Sequence, residues 1–196
     1  MARTLYITGD DDADRLLNTD ANALLIGMLL DQQVPMEWAF AGPKTLLDRL
    51  GHLDPVRIAA MDEDDFVSVC SEKPAIHRFP RSMGQRVHRL CATLASEYGG
   101  DASNIWADVD GGQELFRRLK ALPGYGDEKS KIFIAILAKR QGVAVDGWRE
   151  AAGTFGDDTP RSVADIHDEA SLATVREWKV AQKAAKKDKQ DRPLPT

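Results

Sequence analysis

A glycine-rich turn, LPGYG at residues 122–126, lies between two stretches of helical periodicity. Glycine has no Cβ and accepts positive φ, so the backbone at Gly124 and Gly126 can approach a phosphate closely. The helix predicted to begin at Asp127 would point its unpaired N–H groups and the positive end of its dipole at that phosphate. Such a turn binds nucleic acid without reading its base sequence. The alternative is an ordinary tight turn between two packed helices.

Two further segments resemble motifs that accompany such a turn in one protein family. A Val-Asp pair ends in Asp146, 18 residues after Glu128, and residues 24–40 read LLIGMLLDQQVPMEWAF, with Gln32 and Gln33 at the end of an apolar stretch. Together with LKALPGYGDEKSKIFIAIL, these segments resemble the endonuclease III-like, or HhH-GPD, superfamily of DNA glycosylases. The three motifs occur in the family's order over residues 21–148.

The resemblance implies a catalytic role for Asp146. A carboxylate held near C1′ would stabilise the oxocarbenium-like transition state of N-glycosidic cleavage and orient or deprotonate water. The alternative for Asp146 is a loop carboxylate that caps the next turn. The resemblance also implies that Gln33 fills the gap left by a flipped nucleotide, a task suited to a flat side chain with donors and acceptors. The alternative for Gln33 is a cap at a helix end.

The lysine that forms a Schiff base in lyase-type relatives is replaced by Glu128, and a carboxylate cannot be that nucleophile. We therefore expect a monofunctional glycosylase, which releases the base by water attack and leaves the strand intact. Helical geometry turns Lys129 about 100° away from Glu128, so Lys129 is predicted to contact phosphate, as is Lys131. Adenine-excising relatives carry a glutamate where this chain has Met28, which disfavours that subtype.

The DQQVP segment is most similar to alkyl-purine glycosylases, whose substrates carry a cationic base that aromatic faces attract. The candidates for the base pocket are Trp38, Phe40, His77, Phe79, Tyr125 and Glu128. Each of these residues could instead pack in the interior. The GWREAAG segment after Asp146 lacks the family's usual His and Arg, which leaves open a non-catalytic protein that binds DNA structure through the hairpin. A helical protein–protein adaptor is a third, minor hypothesis.

The elements that must position these residues are predicted to be helices. Asp20 precedes ANALLIGMLL, whose apolar spacing indicates a mostly buried helix. Residues 36–42 indicate a short helical turn, after which Gly42-Pro43 would open a second helix that Gly51 closes. Two helices flank the 122–126 turn and form a helical hairpin. The one strand candidate is Thr4–Thr8.

We expect an all-α, two-lobed helical fold with a helix-hairpin-helix motif and, as the resemblance implies, a cleft between the lobes. Residues 20–135 would form a helical barrel lobe that contains the hairpin at 122–126. Residues 1–19 and 136–185 would form the second helical lobe. Residues 186–196 are predicted to be a disordered basic tail, because they have little apolar surface to bury.

The composition constrains how the chain could bind a polyanion. Its 31 acidic residues against 26 basic ones leave a net charge of −5, which argues against binding by bulk charge alone, so a nucleic-acid-binding protein of this composition must segregate its basic residues. The two cysteines, Cys70 and Cys91, cannot ligate a four-cysteine iron–sulfur cluster, and the four histidines lack metal-site spacing. We predict neither a metal nor a cofactor.

No apolar run approaches the ~20 residues of a membrane span, and the N-terminus lacks the pattern of a signal peptide. We therefore expect no membrane association. The expected partner is double-stranded DNA with a damaged base, bound by a cytoplasmic, nucleoid-associated monomer.

Overall fold

The structure is a computed structural model that describes residues 4–194. Regular structure in this range is entirely helical, which confirms the all-α prediction, and one isolated bridge joins Lys187 and Pro193. The α-helices are α1 Asp11–Thr19, α2 Ala21–Leu30, α3 Met36–Leu50, α4 Pro55–Ala59, α5 Glu63–Ser71, α6 Pro80–Glu97, α7 Gly112–Lys120, α8 Asp127–Arg140, α9 Trp148–Ala152 and α10 Glu169–Ala184. Short 3₁₀ helices span Ala102–Ile105, Gly153–Gly156 and Val163–Asp165.

Aspartate caps explain where many of these helices begin. Five α-helices follow an aspartate whose carboxylate accepts backbone N–H groups of the first turn. These residues are Asp10, Asp20, Asp54, Asp62 and Asp168. A carboxylate at this position satisfies orphan donors and complements the helix dipole. Part of the chain's excess of acidic residues therefore caps the N-termini of helices.

The central helices α2 and α8 lie antiparallel. Residues 23–30 of α2 and 132–137 of α8 are buried on all sides, so these helices form the middle of one continuous core. Just before α8 begins, the hydroxyl of Tyr125 donates to the carbonyl oxygen of Leu25 at 2.7 Å. Beyond the opposite end of α8, Gln141 reaches Asn18, which precedes α2. This pairing places the 122–126 turn beside the C-terminal end of α2.

The predicted break at Gly42-Pro43 is wrong, because α3 continues from Met36 to Leu50 with Pro43 inside it. An internal proline removes one backbone hydrogen bond and typically costs ~3 kcal/mol. Gly42 lies so close to α2 that a Cβ there would be 2.5 Å from Leu30. Tertiary packing of α3 against α2 thus offsets the local cost of the proline.

The Thr4–Thr8 segment forms no strand in the described range. Its backbone bonds go to side chains of α1 instead of to a second strand. The amide of Leu5 donates to Asn18 at 2.8 Å, and those of Ile7 and Thr8 donate to the buried carboxylate of Asp14. These polar side chains of α1 satisfy the groups that a strand partner would otherwise bind.

The division into two lobes stays a prediction, and two structural features bear on it. Helix α1 packs on α2 and α3, and a single core includes residues from both predicted lobes. Residues 186–194, expected to be disordered, form a turn in which Asp191 pairs with Arg161. That predicted tail also includes residues 195–196, and the predicted second lobe includes residues 1–3; both stretches lie outside the described residues.

Candidate nucleic-acid interface and active site

The glycine-rich turn joins α7 to α8 as a helical hairpin. Gly124 has a φ of 80°, and a Cβ there would be 2.3 Å from a methyl carbon of Leu29 on α2. Gly126 differs from the expectation of positive φ, because its φ is −105° and a Cβ added there would have no heavy atom within 4 Å. Gly126 is the N-cap of α8 and provides no side-chain cap. The first-turn N–H groups are therefore not capped by a side chain of the N-cap residue.

Charged residues flank this hairpin on both sides. Lys120, the last residue of α7, pairs with Asp127, the first residue of α8, at 2.8 Å. Both side chains are more than half exposed. Lys131 is half-buried one turn into α8, with its side chain beside Gly153. Lys120 therefore lies at the hairpin itself, and Lys131 lies beside the segment that follows α9.

The loop between α2 and α3 carries the predicted gap-filling residue. Gln33 is exposed and has a φ of 57°, in the left-handed region that non-glycine residues rarely adopt. Holding a residue there costs on the order of 1–3 kcal/mol, and such strain clusters at functional sites. The strained backbone presents the Gln33 amide outward, next to the end of α2.

His77 supports this loop from the side. Its Nδ1 accepts the N–H of Phe79 at 3.0 Å, so Nε2 carries the proton and donates to the carbonyl oxygen of Gln32 at 2.9 Å. Burial lowers the pKa of His77, which favours this neutral form. His77 was predicted to line a base pocket, whereas in the structure it positions the loop that carries Gln33.

Lys129 supports the same loop from the other side. Its ammonium donates to the carbonyl oxygens of Met28 at 2.7 Å and of Leu29, both near the C-terminal end of α2. Lysine at this position complements the negative end of the helix dipole. Lys129 was predicted to contact phosphate, but its burial against α2 makes it a cap for that helix. Its position relative to α2 depends on the tertiary fold, so no local signal revealed this role.

Burial gives Lys129 a testable titration. Its pKa falls from 10.5 to about 8, with loss of solvation as the main cause. Between these values the unfolded chain binds more protons than the folded one, so the free energy of unfolding rises with pH from about 8 to 10.5. We expect Lys129→Met to remove up to roughly 3 kcal/mol of that rise. Urea unfolding of both proteins at pH 7.5, 9 and 10 measures the difference.

The control for this experiment is Lys131→Met, which removes a lysine of the same helix that is not tied to α2. The free energy of unfolding of Lys131→Met should depend on pH in the same way as that of the parent protein. If the free energy of unfolding changed with pH in the same way for the parent and for Lys129→Met, the assignment of this pH dependence to Lys129 would be wrong.

The aromatic candidates separate into two groups. Trp38 and Phe79 are 41% and 45% exposed and lie on either side of His77, with ring centroids 6.4 and 6.0 Å from it. They therefore form an exposed aromatic surface beside the 31–35 loop. Phe40 and Tyr125 are buried in the core, where Tyr125 is held by its bond to α2, so neither lines an open pocket.

Glu128 faces the C-terminal turn of the chain. Its carboxylate lies 3.5 Å from the ammonium of Lys189 and 3.5 Å from the side-chain amide of Gln190. Together with Trp178, it lines a cavity of about 370 Å³ between the start of α8 and the end of α10. The residue at the Schiff-base position therefore contacts basic and amide groups rather than the aromatic candidates.

Asp146 is exposed at the start of the segment that leads into α9. Its carbonyl oxygen accepts the N–H of Gly112 at 2.7 Å, and it lines a cavity of about 360 Å³ with Gly111 and Glu150. Gly112 begins α7, whereas the hairpin follows the end of that helix. A nine-residue helix is ~13 Å long, so the backbone of Asp146 lies about this far from the hairpin, at the opposite end of α7.

Two glycines that were not among the predicted site residues hold Asp146 in place. A Cβ at Gly111 would be 3.0 Å from the carbonyl oxygen of Asp146, and one at Gly112 would be 2.5 Å from that of Gly147. Gly111 also has a φ of 147°. The Gly-Gly pair at the start of α7 is visible in the sequence and was the available signal for this close approach.

Within residues 4–194, no three His, Cys, Asp or Glu side chains lie together as a metal site would require. In the same range, no helix combines the length and apolar character needed to cross a membrane.

Comparison with known proteins gives both a family and structural relatives. A solved structure of a trapped covalent intermediate of endonuclease III with DNA is 18% identical to this chain, with a TM-score of 0.44. A non-covalent complex of endonuclease III with DNA is 15% identical, with a TM-score of 0.45. Each match covers 93% of this chain and 79% of the endonuclease chain. A thermostable thymine-DNA glycosylase shares 9% identity over 83% of this chain and 74% of its own, with a TM-score of 0.44. A search of curated protein sequences finds no match. Residues 26–192 match the family model described as HhH-GPD superfamily base excision DNA repair protein, and the chain therefore belongs to that superfamily.

Proposed function

We propose that this protein is a monofunctional DNA N-glycosylase that hydrolyses the bond between a damaged base and its sugar. The observation that carries the proposal is the placement of two devices at the same end of α2. The hairpin packs there through Gly124 and Leu29, and the strained Gln33 loop begins there, with Lys129 bonded to the end of the helix. One device would hold the DNA backbone while the other occupies the space of the displaced nucleotide.

The exposed aromatic surface favours an alkylated purine as the first substrate to test. Trp38 and Phe79 lie beside the Gln33 loop and could stack on a base that leaves the helix. A cationic alkylated base would gain additional attraction from their ring faces. Such a base is also a good leaving group, so the protein would need to supply little acid catalysis.

Asp146 is the proposed catalytic carboxylate. As the C1′–N bond breaks, its electron pair leaves with the base and positive charge builds on the sugar. The negative charge of Asp146 would stabilise that charge, and its oxygen would take a proton from the water that attacks C1′. The close backbone contact with Gly112 supports a rigid position for this residue. Because Asp146 lies at the other end of α7 from the hairpin, the bound strand would have to run along this helix.

A second candidate is a non-catalytic protein that binds DNA structure. It is favoured by the separation of Asp146 from the hairpin and by the engagement of Glu128 with Lys189. Duplexes that contain alkylated purines, uracil, oxidised bases or mismatches would distinguish the two candidates. Base release followed by alkali breaks the strand only if the protein is a glycosylase, whereas binding without any break on the whole panel would favour the second candidate.

Borohydride treatment during turnover should trap no covalent complex between enzyme and DNA. Glu128 cannot form a Schiff base, and the amine of Lys129 is bonded to two carbonyl oxygens of α2. Glu128→Gln should accordingly keep appreciable base release in the same assay. Gel electrophoresis of the borohydride reaction provides the measurement, and a trapped adduct that Lys129→Met abolishes would reverse the assignment.

A further inference from the structure

The C-terminal part of the chain is basic, although the whole protein is acidic. Residues 176–192 contain more Lys and Arg than Asp and Glu, in a chain whose net charge is −5. This segment comprises the second half of α10 and the turn that follows it. This segment therefore shows the kind of basic-charge segregation that DNA binding would require.

Four lysines of this segment converge on the cavity beside Glu128. Lys179 and Lys183 come from α10, while Lys187 and Lys189 come from the turn. The two carboxylates that also line the cavity are already engaged. Glu128 pairs with Lys189, and Asp188 pairs with Arg192 at 2.7 Å. The surplus of positive charge in this cavity matches an anionic ligand.

The basic turn is held in place by bonds to the body of the protein. Asp191 pairs with the buried guanidinium of Arg161 and accepts the side-chain amide of Gln182 at 2.8 Å. The bridge between Lys187 and Pro193 closes the turn. These anchors reduce the conformational freedom that the lysines would lose on binding a ligand.

The amines are crowded in a way that an anion would relieve. The ammonium of Lys179 lies 3.4 Å from the sulfur of Met36, a weak acceptor. Burial and the nearby charge of Lys189 lower the pKa of Lys179, while Asp31 and Glu37 raise it. Lys189 also repels Lys129. A phosphate oxygen placed among these amines would remove part of that repulsion and accept their hydrogen bonds.

We infer that the cavity lined by Lys179, Lys183, Lys187 and Lys189 binds a phosphodiester group of the DNA strand that the hairpin holds. Glu128, two residues beyond Gly126, lines this cavity and thus joins it to the hairpin surface. Its pairing with Lys189 gives the carboxylate at the Schiff-base position a positioning role. This inference rests on the proposed function only in requiring that the protein binds DNA.

The test is the double substitution Lys183→Gln/Lys187→Gln, measured by DNA affinity across a series of salt concentrations. Both side chains belong to exposed residues, so folding should survive. A plot of log affinity against log salt concentration has a negative slope, and each lost phosphate contact makes it less steep by about 0.9. The slope of the double variant should therefore be shallower than that of the parent by about 1 to 2. Affinity at low salt should fall roughly tenfold, equally for damaged and undamaged duplexes. Arg15→Gln/Lys44→Gln removes the same charge from α1 and α3 and should leave the slope nearly unchanged.

Three results would overturn the inference alone. An unchanged slope in Lys183→Gln/Lys187→Gln would show that the lysines do not contact phosphate, and an equal decrease in the control would assign the effect to net charge. Tighter DNA binding by the double variant would mean that the basic turn covers the site. A parent protein that binds no duplex at low salt would overturn the proposed function as well, whereas the first three results leave it intact.

Discussion

Asp146→Asn should abolish base release from a lesion-containing duplex while DNA affinity stays equal or increases. Asparagine preserves the shape of the side chain but removes the negative charge that the cationic transition state requires. The expected loss is of the order of 10²-fold or more in the single-turnover rate, the range for one electrostatic or general-base group. The amide would also repel phosphates less. Strand breakage after alkali measures the rate, and gel-shift titration measures the affinity.

Glu150→Gln is the matched control, because Glu150 lines the same cavity as Asp146. It removes one negative charge from the same place without touching the proposed catalytic group. A general electrostatic effect of the cavity would slow both variants alike. Full turnover by Asp146→Asn on a substrate that the parent protein cleaves would exclude Asp146 as the catalytic residue.

Gly124→Ala should destabilise the whole protein and weaken DNA binding, whereas Gly126→Ala should affect DNA binding alone. At Gly124 an alanine would have to adopt the left-handed backbone conformation, which costs ~1–2 kcal/mol. Its methyl group would also overlap Leu29, which costs ~1–3 kcal/mol. The combined loss of about 2–5 kcal/mol corresponds to a melting temperature lower by roughly 4–20 °C for a chain of this size. Calorimetry of both variants measures this difference.

At Gly126 the backbone suits any residue and the space around the Cβ is open. The melting temperature of Gly126→Ala should therefore match that of the parent. Its methyl group would still stand between the backbone and a phosphate, so affinity should fall to the same degree for every duplex sequence. A loss confined to one sequence would show that the hairpin reads bases, and equal stability of the two variants would contradict the described packing of Gly124.

Features that depend on nearby residues were predictable from the sequence, whereas features that depend on distant contacts were not. The hairpin and the helix start after Asp20 follow from glycine, proline and aspartate at specific positions. The continuity of α3 through Pro43 could not be predicted, because it depends on packing against α2. The turn at 186–194 likewise depends on Arg161, which lies 30 residues from Asp191 in the sequence.

The candidate site shows the same division. The exposed positions of Gln33 and Asp146 agree with their proposed roles but were reached through family motifs, not through local chemistry. Helical geometry correctly separates Lys129 from Glu128, yet it does not indicate what lies on either side of α8. The end of α2 lies on one side and the C-terminal turn on the other, and these neighbours decide that Lys129 caps a helix while Glu128 meets Lys189.

The aspartate caps have a consequence for how quickly the protein would find DNA. Asp20 caps α2 at the end away from the hairpin and lines a cavity there with Asp101, while the lysines of residues 176–192 lie near the opposite end. Charge separation of this kind contributes an electric dipole, and the field of DNA would turn such a molecule during approach so that its basic face leads. Encounters in the wrong orientation would be repelled before contact. The association rate would then fall with ionic strength over a Debye length of ~8–10 Å, even though the net charge of the protein has the same sign as that of DNA.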